Sequence, residues 1–403
     1  MELGPIWRSL TRNKAGSVLI ALQIAVTLAI MVNAIAIMQE RAEQMGRPSG
    51  TDEANIFTLS STAFVPDTNI QSLIEEDLKL IRSQPGVVEA IATNSFPLRQ
   101  GGSARGFQLE PGAGKETLTG AVYYTDEHAI EAFGTHLVDG ANFAPNQVVW
   151  GGQNGDEWPA NIIITESFAK TLFPDTAESA IGKTVFVDDT RPVQIIGIID
   201  RLQAPWRNWG EIENTVIVPL RQEGQQQWYL VRTEPGAQDR IMPEVEELLA
   251  QSNKNRIIQS VRTMQEVRDR SYLSDNAMIK MLGFIVTLLI LITGLGIVGL
   301  ASFNVSRRTR QIGIRRALGA TRAQVINYFR IENLLISGLG IAVGAVLAIA
   351  LNLFLVNAFS LTPMSWYVIP LAMLAMWVVG QIAVIGPARR ASRISPAIAT
   401  RSG

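Results

Sequence analysis

Three long uncharged stretches dominate the hydrophobic pattern of this chain: Ala15 to Gln39, Met281 to Ser306 and Asn333 to Ala388. A helix needs about 20 mostly apolar residues to cross the hydrocarbon core of a bilayer. The third stretch is long enough for two crossings. Ser360, Thr362, Pro363 and Ser365 interrupt it, and Pro370 follows. The pattern therefore predicts four membrane helices, over about 16–38, 281–303, 334–359 and 367–386. Arg8, Arg12 and Lys14 precede the first of them, as in a signal peptide. A signal h-region runs only about 7–15 residues. This stretch is longer and continues into Met38-Gln39-Glu40-Arg41, so a retained helix is expected.

Between the first two spans the periodicity changes. Residues 55–59 read as a strand, 70–83 carry apolar positions at helical spacing, and 87–91 return to extended chain. The same order recurs as a strand at 228–231, a helix at 239–251 with Pro243 in its first turn, and a strand at 257–261. Two such halves, about 55–100 and 226–263, predict a split βαβ sheet covered by helices. The insertion at about 101–225 reads as mainly β, with strands at 162–164, 184–187, 193–199 and 215–218. Short helices are expected at 127–134 and 166–172. The expected fold class is thus a membrane α-helical protein of four spans with an α+β domain at 40–280. That domain comprises a split βαβ part, a β-rich inserted subdomain and a stalk.

Composition agrees with this mixture: 47% of the 403 residues are hydrophobic and 18% charged. Charge adds an orientation. Three basic residues against Glu2 precede the first span. Seven arginines against Glu332 fill the loop at 304–332, and Arg389, Arg390, Arg393 and Arg401 stand in the tail at 389–403 with no acid. Lys and Arg are retained on the cytoplasmic side. Both termini and the 304–332 loop are therefore expected in the cytoplasm, and 40–280 outside. A formal net charge of −1 hides a basic inside and an acidic outside. Trp366 and Tyr367 fit the outer interface and Trp7 the inner one.

Several chemistries drop out. There is no cysteine, so no disulfide, thiolate metal site or cysteine nucleophile is available. His128 and His136 are the only histidines and read as surface residues. The polar residues in the spans, Gln23, Asn33, Asn352, Asn357 and Gln381, are not ionisable. Interhelical hydrogen bonds are expected of them rather than a proton relay. Residues 177–184 satisfy a permissive P-loop pattern, but a strand follows where a P-loop opens a helix. A turn is expected there, and no metal, nucleotide or nucleic-acid site. Gly340, Gly344 and Ala348 form a small-residue face for close helix packing. Trp206, Arg207 and Trp209 share one loop, which suits partner contact or rings folded onto their own sheet.

The most informative run is Arg310-Gln311-Ile312-Gly313-Ile314-Arg315-Arg316-Ala317-Leu318-Gly319-Ala320. It reads as a short basic amphipathic helix stopped by Gly319. It resembles the signature that follows the second span in MacB-like ABC transporter permeases, with their FtsX-like transmembrane region. Residues 8–14, 131–140, 164–173, 181–183, 193–200 and 387–396 resemble other parts of that family, so the likeness covers nearly the whole chain. Gln311 departs from the family's usual glutamate and removes a charge from the expected contact.

The resemblance implies a bacterial inner-membrane permease with a porter-like periplasmic domain. It implies that a cytoplasmic ABC ATPase dimer, carrying the ATP and Mg, docks on residues 310–320, with Arg389, Arg390 and Arg393 as a tail contact. It further implies a homodimer or a heterodimer with a sister permease, a periplasmic adaptor and an outer-membrane channel. ATP-driven motion would pass through the stalk, a mechanism called mechanotransmission, for export or efflux. This chain is expected to be non-catalytic itself. Lipoprotein-release permeases related to LolC and LolE, and FtsX-like scaffolds that control a cell-wall hydrolase, share the four-span plan and stand as alternatives.

Overall fold

The computed structural model describes residues 14–65, 69–152, 158–174, 180–359 and 364–394. The expected entry segment at 8–13, Trp7, the turn residues Ser360, Thr362 and Pro363, the first residues of the P-loop-like match, and the tail from 395 with Pro396 and Arg401 lie outside them. The chain forms two compact units, Met1–Met45 with Ser274–Gly403, and Gly46–Leu273.

The chain enters through helix α1 (Lys14–Met45). The α+β unit then opens with β1 (Ile56–Ala63), α2 (Ile70–Arg82) and β2 (Val87–Thr93). Inserted chain follows as β3 (Ser103–Gln108), β4 (Leu118–Tyr124), α3 (Ala129–Phe133), β5 (Leu137–Gly140) and β6 (Val149–Gly152). It continues with β7 (Asn161–Thr165), α4 (Glu166–Leu172), β8 (Thr184–Val187), β9 (Arg191–Ile199), β10 (Thr215–Val218) and β11 (Leu220–Glu223). The unit closes with β12 (Gln226–Thr233), α5 (Gln238–Ser252), β13 (Arg256–Thr263) and α6 (Met264–Ser271).

The two halves read from periodicity assemble as one sheet, ordered β13-β1-β12-β2, with antiparallel neighbours throughout. Because β12 lies between β1 and β2, each strand–helix–strand half is split by a strand of the other. Alternation puts Phe57, Leu59, Tyr229 and Val231 on one face, where Ile74, Leu78 and Ile81 of α2 and Ile241, Val245 and Leu249 of α5 cover them. One polar group enters this core. Asp77 Oδ2 accepts from Tyr229 Oη at 2.7 Å and pairs with Arg256 Nη1 at 2.5 Å, while Arg256 Nε donates to Leu249 O at 3.0 Å. Burial pushes the Asp77 carboxyl above its ordinary range, and the bonds from Arg256 and Tyr229 pull it back. The network ties α2, β12, α5 and β13 together.

The insertion forms a second sheet, β5-β9-β7-β10-β4-β3-β8, and β8 also pairs with β9. That pairing closes the sheet around Phe107, Val122, Ile162, Ile164, Phe168, Val185, Val193 and Val216, and leaves the short strand β5 at an edge. Gly182 turns with φ +79° and Thr184 starts β8, so the P-loop-like run leads into a strand as expected. His128 is less isolated than its sequence context suggested. Its Nδ1 lies 2.7 Å from Glu89 Oε2, in a network with Arg82, Asp126 and Arg221. Among the described residues no cluster of acids and histidines could hold a metal.

The chain returns through α7 (Leu273–Arg307), α8 (Thr309–Ala317), α9 (Arg322–Phe359) and α10 (Val368–Ser392). Four helices, α1, α7, α9 and α10, are long and apolar enough to cross a membrane. All four extend beyond the spans read from hydropathy, α10 running past 386 to Ser392. α1 continues past 38 to Met45, α7 starts at Leu273 and α9 at Arg322. Charged positions ended the apolar windows, but nothing there stops a helix.

Two ion pairs bracket the segments that join the units. In the membrane unit, Arg41 of α1 meets Asp275 of α7 at 3.0 Å. In the α+β unit, Arg268 of α6 grips Glu53 with Nε to Oε2 at 2.7 Å and Nη2 to Oε1 at 2.5 Å. Ser49 Oγ also donates to Glu53. Burial alone would raise the Glu53 carboxyl, but the Arg268 and Ser49 bonds outweigh it and hold the group below its ordinary value. A carboxylate so depressed stabilises the fold fully above its unfolded value, and this is lost as pH falls through the folded one. The urea midpoint of the full chain should therefore drop between roughly pH 5 and 3. It should do so less steeply in Glu53→Gln than in the wild type. Parallel pH profiles, followed by tryptophan fluorescence, would show that the clamp adds nothing.

Candidate functional site

The basic run folds as a helical hairpin between α7 and α9. Arg308 closes α7, with its N–H donating to Asn304 O and Val305 O at 3.1 and 3.2 Å. Its guanidinium reaches Glu332, Nη1 lying 3.0 Å from Oε1 and 3.1 Å from Oε2. Glu332 is buried. It is the one acid in the loop of the sequence, and this pairing occupies it.

Helix α8 ends in a Schellman motif. Ala320 N–H donates to Arg315 O at 3.0 Å, Gly319 N–H donates to Arg316 O at 3.2 Å, and Gly319 takes φ +97°. A Cβ is disfavoured in that conformation, which explains the glycine. A capping box starts α9 two residues later: Gln324 N–H donates to Thr321 Oγ1 at 3.2 Å, and Thr321 N–H donates to Gln324 Oε1 at 2.8 Å. Stop and start signals thus lie back to back, which sets a tight, defined turn.

One face of α8 is anchored. Ile312 is buried with Val305, Val325, Phe329, Val384, Ala388 and Ala391. Those residues come from α7, α9 and α10, so the short helix rests on the ends of three membrane helices. Gly313 is buried beside it. The opposite face is open. Leu318 is 83% exposed and Ile314 45%, with Arg310, Gln311, Arg315 and Ala317 also exposed. The Arg315 guanidinium sits 5.0 Å from the Tyr328 ring centroid, and Arg316 Nη1 donates to Ala320 O at 3.4 Å. Gln311 lines a small cavity with Arg308, Arg315 and Tyr328 and makes no hydrogen bond among the described residues. Arg389 and Arg390 are exposed on the last turn of α10, and Arg393 caps that helix. The structure thus brings the tail to α8 through Ala388 and Ala391. It creates a basic surface with exposed apolar centres at Ile314 and Leu318.

The packing residues lie deeper in the same unit. A Cβ added to Gly340 would stand 2.7 Å from Ala21 O, and one added to Gly344 would stand 2.9 Å from both Ala25 Cα and Ala25 O. Hence α9 lies backbone to backbone on α1. Ala348 continues the face, its carbonyl accepting from Asn33 Nδ2 at 3.2 Å, while Asn352 Nδ2 donates to Asn33 Oδ1 at 3.4 Å. Thr27 and Thr293 bond at 2.9 Å, and Asn333 Nδ2 donates to Gly380 O at 2.9 Å; sequence reading had not singled out these three. Gln23 packs against Gly296. Gln381 Nε2 is buried without a partner among the described residues, so the expected bond is not made there.

Trp206 and Trp209 stack with centroids 4.8 Å apart, over Ala121, Ala204 and Ile212. Both rings are half-buried on their own sheet, with Arg207 between them in the loop.

Known proteins resemble this chain along its whole length. A family model for the MacB-like periplasmic core domain matches residues 17–248, and one for the FtsX-like permease C-terminal region matches 283–396. The ABC transporter permease YknZ of Bacillus subtilis (strain 168) is 25% identical over 406 residues, covering 98% of this chain and 96% of that protein. Macrolide export ATP-binding/permease proteins MacB are 31% identical over 253 residues in Azoarcus sp. (strain BH72), and 30% over 241 in Brucella melitensis biotype 1. These matches cover 60% and 58% of this chain, but only 37% of either MacB protein. Among solved structures, the periplasmic region of MacB from Actinobacillus actinomycetemcomitans matches with a TM-score of 0.35 at 16% identity. It covers 57% of this chain and 97% of that one.

Gly344→Leu tests the helix contact. It should separate α9 from α1 and destabilise the membrane unit by about 1–3 kcal/mol, the usual cost of overpacking. Thermal unfolding in detergent reads this as a lower midpoint. A wild-type midpoint would show that the backbones need not touch.

Proposed function

We propose that this chain, which belongs to the MacB-like family of ABC transporter permeases, passes ATP-driven motion from a cytoplasmic ATPase dimer to its α+β domain outside the membrane. The observation that carries the reading is the seating of α8. A helix that only retained positive charge on one side would not need burial against three membrane helices and a defined C-terminal stop. Here a partner pushing on Ile314, Leu318 and the arginines pushes on α7, α9 and α10 together.

In this reading both termini and α8 face the cytoplasm, following the arginine distribution. ATP and Mg reside on the ATPase, which presents acidic groups around an apolar groove to Arg310, Arg315 and Arg316. Arg389, Arg390 and Arg393 add a second contact. The Glu53–Arg268 and Arg41–Asp275 pairs keep the incoming and outgoing segments together, so movement reaches the outer domain as one displacement. Two of the relatives are named as macrolide exporters, and we take export or efflux from the outer side of the membrane as the role here. Work would be delivered with a second permease, identical or sister, and through a periplasmic adaptor and outer-membrane channel.

The test is charge reversal on the exposed face. With the chain and its ATPase in lipid nanodiscs, Arg315→Glu with Arg316→Glu should remove about nine-tenths or more of the ATPase stimulation, since like charges facing each other across an interface cost several kcal/mol. Full stimulation in that double variant would overturn the proposal.

A further inference from the structure

The sheet of the α+β unit has a second face, away from α2 and α5. There a half-open cavity of about 340 Å³ lies among β1, β12, β13, the loop at 96–101 and α6. Three guanidinium groups line it: Arg99, Arg262 and Arg270. Elsewhere in this unit, arginines such as Arg82, Arg221, Arg232, Arg256 and Arg268 pair with carboxylates. These three do not. Arg99 Nη1 donates only to the carbonyls of Asn94 and Gly101, at 3.0 and 3.1 Å, and its Cζ lies 4.4 Å from the Trp228 ring centroid. The guanidiniums of Arg262 and Arg270 make no hydrogen bond or ion pair among the described residues. No carboxylate lines the cavity. Cations gathered without an anion repel one another and are costly to hold together.

Two further polar atoms, both closed to solvent, lie behind the same wall without a partner among the described residues. Thr58 is 1% exposed, and its Oγ1 has no hydrogen-bond partner; Trp228 Nε1 is likewise buried and unpartnered. Native folds rarely leave such groups unmet without a reason. The backbone adds a third sign. Leu98, Gln100 and Ser260 all line the cavity and take φ of +66°, +65° and +55°. Non-glycine residues held in that region collect at binding sites, where surrounding structure fixes them. Gln100 and Ser271 add polar groups to the wall and bond to each other, Nε2 to Oγ at 2.8 Å, while an aromatic pair forms its apolar part. Phe96 meets Trp228 edge to face at 5.4 Å, and Val267 of α6 lies beside them.

We propose that this cavity binds a small amphipathic organic anion, its acidic head held by Arg99, Arg262 and Arg270 and its apolar body resting on Trp228 and Phe96. Guanidinium groups suit a planar carboxylate, which accepts two parallel hydrogen bonds from one fork and has lone pairs left for the others. The site stands apart from the α8 surface and does not depend on its reading.

The experiment uses the full chain in nanodiscs and three water-soluble probes: 3-phenylpropionate, its neutral amide, and inorganic phosphate. Equilibrium dialysis should show saturable binding of the carboxylate, with the amide and phosphate each about tenfold weaker or more. Arg262→Gln with Arg270→Gln should weaken carboxylate binding about tenfold or more, while Lys254→Gln, an exposed control, should not change it. Trp228→Leu removes the aromatic platform under the apolar body and should weaken binding a few-fold. Each variant is compared at a wild-type unfolding midpoint, and the single substitutions serve if the double one shifts it. Absence of saturable carboxylate binding at millimolar concentration overturns the proposal. So does equal binding of the amide, equal binding of phosphate, or undiminished binding by the arginine variants.

Discussion

In lipid there is no hydrophobic drive to bring two apolar helices together, so α1 and α9 depend on how closely their backbones can approach. Gly340 and Gly344 supply the approach, and Asn33 turns it into a specific register by bonding to Ala348 O. This makes α1 the axis of the membrane unit: Ile24, Leu28 and Val32 are almost fully buried, whereas much of α7 faces outward. The consequences reach the loop. Only when α9 is held in place do Val325 and Phe329 stand where Ile312 can bury, and only then does α8 have a floor.

The floor matters because α8 is too short to be a stable helix on its own; isolated helices under about 12 residues are marginal in water. Its order comes from outside: one buried isoleucine, an arginine consumed by Glu332, the glycine stop and the Thr321–Gln324 box. Each is small. Together they convert a flexible basic loop into a rigid knob. The Arg308–Glu332 pair is the telling member. Two charges at the edge of an apolar bundle are poor stabilisers in net terms, but breaking such a pair is expensive, so it defines one arrangement of α7 against α9.

Much of this was legible in the sequence, for reasons that can be named. The spans follow from hydropathy. The strand–helix–strand halves follow from period, because Leu73, Ile74, Leu78 and Ile81 bury one face of α2 against alternating strands. The α8 run was legible because stop, charge and apolar positions are contiguous. Strand β3 was not: Ser103–Gln108 is held by its neighbours β4 and β8 rather than by its own alternation. The extensions of α1 and α7 were missed because Glu40 and Lys280 ended the apolar windows, whereas the helices continue past them and Arg41 and Asp275 pair with each other there. The arginine cavity had no local signal at all, since Arg99 lies far along the chain from Arg262 and Arg270, and only the sheet order brings them together.

Arginine is used in three ways in this protein, and the difference separates structure from function. In the α+β unit most arginines are spent on carboxylates; Arg256 and Arg268 are bound so completely that they work as cross-links. On the α8 surface, Arg310, Arg315, Arg389 and Arg390 remain at the solvent edge around exposed Ile314 and Leu318. Charge there is cheap to display, because water screens it until a partner arrives. The third set converges on a cavity without either water-filled openness on all sides or an acid to answer it. A surface cation needs no explanation and a paired one carries its own. Arg99 and Arg262 are partly buried and Arg270 is exposed at the same cavity, and an anion delivered from outside the chain answers the three charges with the fewest changes to the fold.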